Sequence, residues 1–460
     1  MMELVGEGDE SEMGKDNPIN LEGIILSCSG RIVNVMQLEL MRVAVKYQLI
    51  SDLRAIDLFV EFCLHTILYQ VPSQGGGSPP GLSIAQANRV TGKHPLKNDV
   101  IVRIKLGILN VIEAMKLDPE LVYPLYISAS VDCQEPVVKR GEELMKKKAS
   151  GANLDDPILI NRLFFLFNGT SSMENVAPES KVNPGNAALK AKLMSIFCRS
   201  ISAANNFPAT LQCIFGCMYG TGTTSRLKQL GMEFTVWVFK HAKVDQLKLM
   251  GPVILNGILK LLDGYLYLES DAIARETKTF SYQAIGLLAQ RLPQLFRDKI
   301  EIAVRLFDAL KVEAPSLRLI VQEATNSLAS AYMGAPATVL MDLEKLLLKN
   351  TQAEQSEVRF CAVRWATSLF DLEHCPSRFI CMLGAADTRL DIREMALEGL
   401  FLVKDEGRTI SQNIDLKYPK LGSMLEFINK QQPKLVDATE MTERKLLFPS
   451  QMYMAMIKFC

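Results

Sequence analysis

The sequence predicts an all-α fold, an α-solenoid of HEAT- or armadillo-like helix pairs. Three observations carry this expectation. Apolar residues recur at helical spacing along most of the chain, strand-like alternation is sparse, and a longer period near forty residues overlies the helical one. No alternation of strands with helices suggests a βαβ fold.

The helical signal is clear in NDVIVRIKLGILNVIEAMKLDP. Ile101, Ile104, Ile108, Val111, Ile112 and Met115 share one face, and Arg103, Lys105, Asn110 and Glu113 lie largely off it. Lys116 to Pro119 should end that helix and start the next, with Asp118 placed to cap it and Pro119 at its first position. The same device recurs at Asp156-Pro157, and Gly251-Pro252 is expected to open VILNGILKLL in a similar way.

The longer period lies in the second helices of successive pairs. Each carries an apolar residue, usually followed by a cation, with small or apolar residues four and eight positions on. The sets are Phe280, Ala284, Leu288 without the cation; Leu317-Arg318, Val321, Thr325; Val358-Arg359, Ala362, Ala366; and Ile392-Arg393, Ala396, Leu400. Their starts are 37, 41 and 34 residues apart, close to the period of HEAT repeats. One pair cannot bury its apolar face alone, and stacked neighbours share a core that small residues allow to close. A non-repetitive helical bundle is the alternative.

The boundaries follow from composition. Residues 1–20 are acidic and polar and are expected to be disordered, with a continuous solenoid over 21–460. Long loops are expected at about 72–98, around QGGGSPPG, and at 168–187, around NGTSSMENVAPESKVNPGN. The chain closes in MYMAMIKFC, an apolar stretch without the polar cap that repeat arrays need, so a truncated array is expected.

Hydrophobic residues make up 48% of the 460 and charged residues 22%, enough for a continuous core and too apolar for general disorder. Lys and Arg number 51, matched by 51 Asp and Glu, so no overall field favours a polyanion. The acidic N-terminal stretch lacks the basic and apolar regions of a secretory signal, so none is expected, and no apolar run is long enough to span a bilayer. Ten cysteines, scattered mostly singly, read as reduced small hydrophobes of the cytosol or nucleus. The Asn168-Gly169-Thr170 sequon would then carry no glycan.

Candidate chemistry is thin. His65 sits in an apolar helix and reads as a core or groove histidine, and the remaining histidines are His94, His241 and His374. Neither His374-Cys375 with Cys381 nor Cys213 with Cys217 supplies the two compact ligand pairs of a structural zinc site, so buried thiols are expected. Gly220 to Ser225 looks like a phosphate loop but lacks the Lys and the preceding strand, so a turn between two helices is expected. Nothing assembles a nucleophile, a base and an orienting group. No enzymatic activity, cofactor, metal or small-molecule substrate is expected.

VVKRGEELMKKKASGANLDD, residues 137–156, packs five cations and four carboxylates around a Gly and a small-residue hinge. Helix electrostatics accounts for it: Glu142–Lys146 and Glu143–Lys147 at i, i+4, three lysines in a last turn, and Gly151 available as a left-handed cap. A nucleic-acid handle at Lys146 to Lys148 is the competing reading, and no nucleic-acid partner or membrane insertion is expected. The composition of SGANLDD exceeds what a turn needs, so Lys146, Lys147, Lys148, Asn153, Asp155 and Asp156 are candidate protein contacts.

KRGEELMKKKASGANLDDPILINRLFFLFNGT resembles the most recognisable segment of the proteasome adaptor and scaffold family, very large HEAT-repeat proteins of eukaryotes. RLKQLGMEFTVWVFKHA and KLLFPSQMYMAMIKFC are similar to further segments, less distinctively. Family members are several times longer, which implies an N-terminal part. The resemblance implies a non-enzymatic tether in cytoplasm and nucleus that contacts core and regulatory particle subunits of the 26S proteasome and supports assembly quality control. A transport-receptor-like solenoid, which shares the fold, is the alternative.

Overall fold

The computed structural model describes residues 42–47, 56–71, 80–91, 97–148, 151–170, 174–220, 223–264, 271–400 and 419–431. The acidic segment 1–20, the Gly-rich stretch 74–79, His94, Thr221-Gly222 and the terminal KLLFPSQMYMAMIKFC lie outside them. The described residues are helical with no strand among them, and they group into two compact units, residues 1–246 and 247–460. Within each unit helices stack in two rows, as the α-solenoid class requires.

In the first unit one row comprises α1 (Ile56–Leu68), α4 (Pro119–Ala129), α6 (Pro157–Asn168) and α9 (Ala209–Tyr219). Facing them are α3 (Asn98–Met115), α5 (Glu135–Lys148), α7 (Ala187–Phe197) and α10 (Ser225–His241). The short helices α2 (Ile84–Thr91) and α8 (Ile201–Ala204) fill connections. Between the rows Phe164 stacks on Phe197 at 4.2 Å, and Phe197 meets Phe234 at 5.9 Å. Aromatic burial of this kind dominates core energetics.

The second unit holds α11 (Val244–Leu262, mostly within it), α12 (Asp271–Arg291), α13 (Ile300–Val312), α14 (Pro315–Ala329), α15 (Ala337–Asn350), α16 (Ser356–Leu369), α17 (Cys375–Ala385), α18 (Leu390–Gly399) and α19 (Leu421–Gln431). Helices α12, α14, α16 and α18 form one row and α13, α15, α17 and α19 the other. The first row carries the four sets read from the sequence, and all twelve residues, from Phe280 to Leu400, are buried. Trp365 is fully buried between the rows, 5.3 Å from Phe307, and its Nε1–H donates to the Thr325 carbonyl at 3.2 Å.

One cation of the repeat, Arg359, has a definite task. Arg359 donates from Nε and Nη2 to the Asp387 carboxylate at 2.6 and 3.0 Å, and from Nη1 to the Ala353 and Glu354 carbonyls at 3.0 and 2.7 Å. It thereby joins one helix to the loop that opens the next helix of its row. Lys278 reaches Glu313 in the same way at 2.9 Å, and Lys105 reaches Asp132 at 2.5 Å. Lys105 corrects the expectation that it lies off the buried stripe: it is 1% exposed. Its methylenes follow Ile104 into the interface and its charge finds Asp132, since a buried cation without a partner costs several kcal/mol.

Two further corrections concern helix starts. Pro252 lies inside α11 rather than at its start, and Gly251 packs close to Leu292, whose Cδ1 would be 2.9 Å from an added Cβ. Asp118 occupies the cap position of α4 but makes no side-chain cap bond, although Pro119 does begin the helix. The expected loops also carry structure. Residues 84–91 are helical, and Gly81 and Leu82 pair with Asn183 and Pro184 through backbone bonds of 3.1 to 3.3 Å.

Candidate protein-contact site

The charged segment 137–156 folds as α5 and the turn into α6. Glu135 and Pro136 open α5, and Val137, Gly141 and Leu144 form its buried face. A Cβ on Gly141 would lie 2.6 Å from the Ser130 nitrogen, so only glycine allows α5 to close on the end of α4. This contact turns Arg140, Glu143 and Lys147 toward the end of α3. There Arg140 meets Glu113 and Lys147 Nζ lies 2.9 Å from Glu113 Oε1, while Glu143 takes Arg140 at 2.8 Å and Lys147 at 3.3 Å. Arg140 also donates to Asn110 Oδ1 at 3.1 Å.

Electrostatics in this cluster is mutual. Burial raises the Glu113 carboxyl, but hydrogen bonds and charge from Lys147 and Arg140 outweigh it and hold the group below the usual range. The Arg140 and Lys147 hydrogen bonds lower Glu143 likewise. The Tyr126 hydroxyl is pushed up to about 12, by burial first and then by Glu113. Solvent screens the exposed pairs, so the cluster fixes side-chain direction more than it stabilises.

The candidates read from the sequence divide accordingly. Lys147 is engaged with Glu113 and Glu143, and Lys146 is exposed with no ion pair among the described residues. Lys148 closes α5, and the expected Gly151 cap borders 149–150, which lie outside the described residues. Asn153 donates its N–H to Glu120 Oε1 at 3.1 Å, and its Oδ1 accepts from Asp155 N–H at 3.1 Å. Asp155 Oδ1 accepts from Ser200 Oγ and Ser202 N–H, both at 2.7 Å. Burial raises the Asp155 carboxyl, yet the Ser202 and Ser200 hydrogen bonds prevail and hold it below its ordinary value. Asp156 caps α6 as expected, accepting from Leu159 N–H at 2.8 Å.

The SGANLDD composition therefore has a use beyond a turn. The Asp155 and Asp156 side chains hold the starts of α8 and α6, and the Asn153 N–H ties the turn to Glu120 at the start of α4. Asn161 accepts from Asn206 at 2.6 Å and Asn205 from Lys243 N–H at 2.6 Å, which extends the same edge. Sequence reasoning missed three apolar residues on this edge: Ile158 is 65% exposed, Ile201 51% and Phe207 41%. One signal was available, since Ile158 falls off the buried stripe of Leu159, Ile160, Leu163 and Phe164.

Elsewhere the histidines and thiols have structural surroundings. His374 caps α17, its Nδ1 accepting from Ser377 N–H at 3.2 Å, and its ring stacks on Phe370 at 4.3 Å. Cys63, Cys213, Cys217, Cys361 and Cys381 are buried, and burial pushes the Cys381 thiol up to about 11. Among the described residues no three His, Cys, Asp or Glu side chains cluster as metal ligands, and no helix is long and apolar enough to cross a membrane. Thr224 caps α10, accepting from Leu227 N–H at 3.2 Å, which makes the Gly220 to Ser225 segment the link between two packed helices.

Two-row stacking, a ladder of cation–carboxylate ties and a knitted polar edge define a HEAT-type helix-repeat protein. Residues 34–384 match the family described as proteasome component ECM29, N-terminal, and the chain belongs to that family. It is 30% identical over 358 residues to the human proteasome adapter and scaffold protein ECM29, covering 76% of this chain and 19% of that protein. It is 21% identical over 336 residues to the Drosophila melanogaster proteasome-associated protein ECM29 homolog, covering 69% of this chain and 17% of that protein. The chain thus matches about a fifth of the length of these curated relatives.

Proposed function

We propose that this chain is a non-enzymatic scaffold segment that binds the 26S proteasome. It tethers or stabilises the core and regulatory particles through subunits of each and supports assembly quality control, in cytoplasm and nucleus. The observation that carries this reading is family membership across residues 34–384, a span that takes in nearly all the stacked helices. Names of the relatives supply the partner: one is a proteasome adapter and scaffold, the other proteasome-associated. The physical form agrees, because stacked pairs present extended surfaces rather than a closed catalytic pocket.

Within that reading the edge at Asn153 to Asp156 is the contact surface. Its turns are held rigid by side-chain bonds, Lys146 is exposed beside it, and Ile158, Ile201 and Phe207 provide apolar anchors of the kind found at interface centres. Affinity purification of the tagged chain with mass spectrometry tests the proposal. Proteasome subunits should be enriched over an unrelated HEAT-repeat control, and Ile158→Asp with Phe207→Asp should reduce recovery at least fivefold. Recovery equal to the control sinks the proteasome reading, and capture of a nuclear-transport GTPase would favour the transport-receptor alternative. Unchanged recovery by the double variant moves the contact off this edge.

A further inference from the structure

The second unit contains a groove that the scaffold reading does not assign. Helix α17 packs against both α15 and α19, and α15 and α19 stand on either side of it. The space left above α17 is a cleft of about 580 Å³. Its floor is apolar, formed by Phe379 and Leu383 with Leu348 at the side. Lys311, Lys345 and Lys349 line its walls, together with the glutamines 352, 355 and 431, and Glu354 is the single acidic residue in the lining.

The charge balance of this lining departs from that of the chain, whose cations and anions match at 51 each. Lys311 and Lys345 each bond an aspartate one turn away, Asp308 at 3.0 Å and Asp342 at 2.9 Å. Both aspartates are more than half exposed, and solvent-screened pairs of this kind are weak. A carboxylate arriving in the cleft can therefore replace them. Lys349 is exposed and has no ion pair among the described residues. Lys311 and Lys349 lie in the last turns of their helices, where the dipole anchors a cation in place.

We infer that this cleft is a binding site for an extended acidic peptide segment of a partner protein, with an apolar side chain on Phe379 and Leu383 and carboxylates on Lys345, Lys349 and Lys311. Lys349, exposed and without an ion pair among the described residues, sets the sign of the peptide, and Lys311 and Lys345 add to it when they leave Asp308 and Asp342. The apolar floor selects a peptide over a simple polyanion, because phosphate or nucleic-acid backbone leaves that floor uncovered. The Gln355 and Gln431 side chains provide donors and acceptors for a main chain lying along the wall. The inference is independent of the proteasome reading, since any partner carrying such a segment satisfies it.

Fluorescence anisotropy with the full chain tests it. The probes are a labelled peptide of alternating Glu and Leu, the same peptide with Lys in place of Glu, the same with Gly in place of Leu, and a labelled single-stranded oligonucleotide. Lys345→Glu with Lys349→Glu alters exposed positions only, and circular dichroism confirms the fold. Saturable binding of the Glu–Leu peptide is expected, weakened at least tenfold in the double variant and at least fivefold by the Leu-to-Gly change. No binding of the Glu–Leu peptide, equal binding of the Lys peptide, or unchanged affinity in the variant overturns the site. Oligonucleotide binding as tight as the peptide's, lost in the variant, overturns the ligand class.

Discussion

His65 is 7% exposed in α1, with Nε2 3.6 Å from Glu61. Burial first, and then the charge of Arg89, pull its pKa down to about 4. Between that value and the usual 6.5 the unfolded chain binds the extra proton, so stability rises with pH across this window and is lost on acidification. Each pH unit is worth about 1.4 kcal/mol, so roughly 3 kcal/mol is at stake. Replacing His65 with Gln should flatten the urea-unfolding free energy between pH 6.5 and 4. Glu113 and Asp155 act in the same direction at lower pH. Their folded pKa values are depressed, so their contribution is present at neutral pH and lost as pH falls through the folded values. The buried Arg359–Asp387 pair carries a larger single-residue effect. Asp387→Ala leaves a buried guanidinium without its carboxylate, and equilibrium unfolding should show a loss of about 3–5 kcal/mol. At this scale the sequence was only partly legible. Asp156 announced its cap three residues ahead, whereas Lys105 and Asp132 are 27 residues apart, and a helical wheel holds no information over that distance.

Helix pairs are where reading from the sequence worked best. The sets beginning at Phe280, Leu317, Val358 and Ile392 mark one row of the second unit because every member faces the same kind of neighbour. Small residues in that register report close approach, and glycine at an interface reports it most strongly. Gly141→Ala should destabilise by about 2–3 kcal/mol, since the new methyl group meets the backbone of Ala129 and Ser130 and a backbone cannot swing aside. Gly422 in α19 is the contrasting case. Nothing stands within 4 Å of its Cβ position, so Gly422→Ala should raise stability by about 0.5 kcal/mol in the same denaturation assay. Pro252 misled because Gly-Pro is a common helix opener, and only the packing of Gly251 on Leu292 shows that the helix runs through. The polar edge at Asn153 to Asp156 was legible as unusual composition but not as geometry. Its partners, Glu120, Ser200 and Ser202, lie on other elements.

Across the whole molecule, contacts run mainly between successive helix pairs within a unit. Stability in such an array is close to a sum of local terms and neighbour interfaces. A core lesion should therefore weaken its own surroundings first. Hydrogen exchange on Trp365→Ala should show lost protection in α13, α14 and α16, with α4 to α6 retaining theirs; uniform loss through both units would contradict neighbour-only coupling. The backbone ladder of Gly81 and Leu82 with Asn183 and Pro184 breaks this local rule. Thr170 extends it, exchanging bonds of 2.8 Å with Val182 through its N–H and its hydroxyl. Closing a loop of that length carries an entropy cost before any contact forms, and distant pairings form late. On the ribosome, Leu82 must wait until Asn183 has emerged, while the helices between them are already free to pair. The Gly81–Leu82 segment is thus fastened only once a much later part of the chain has been made.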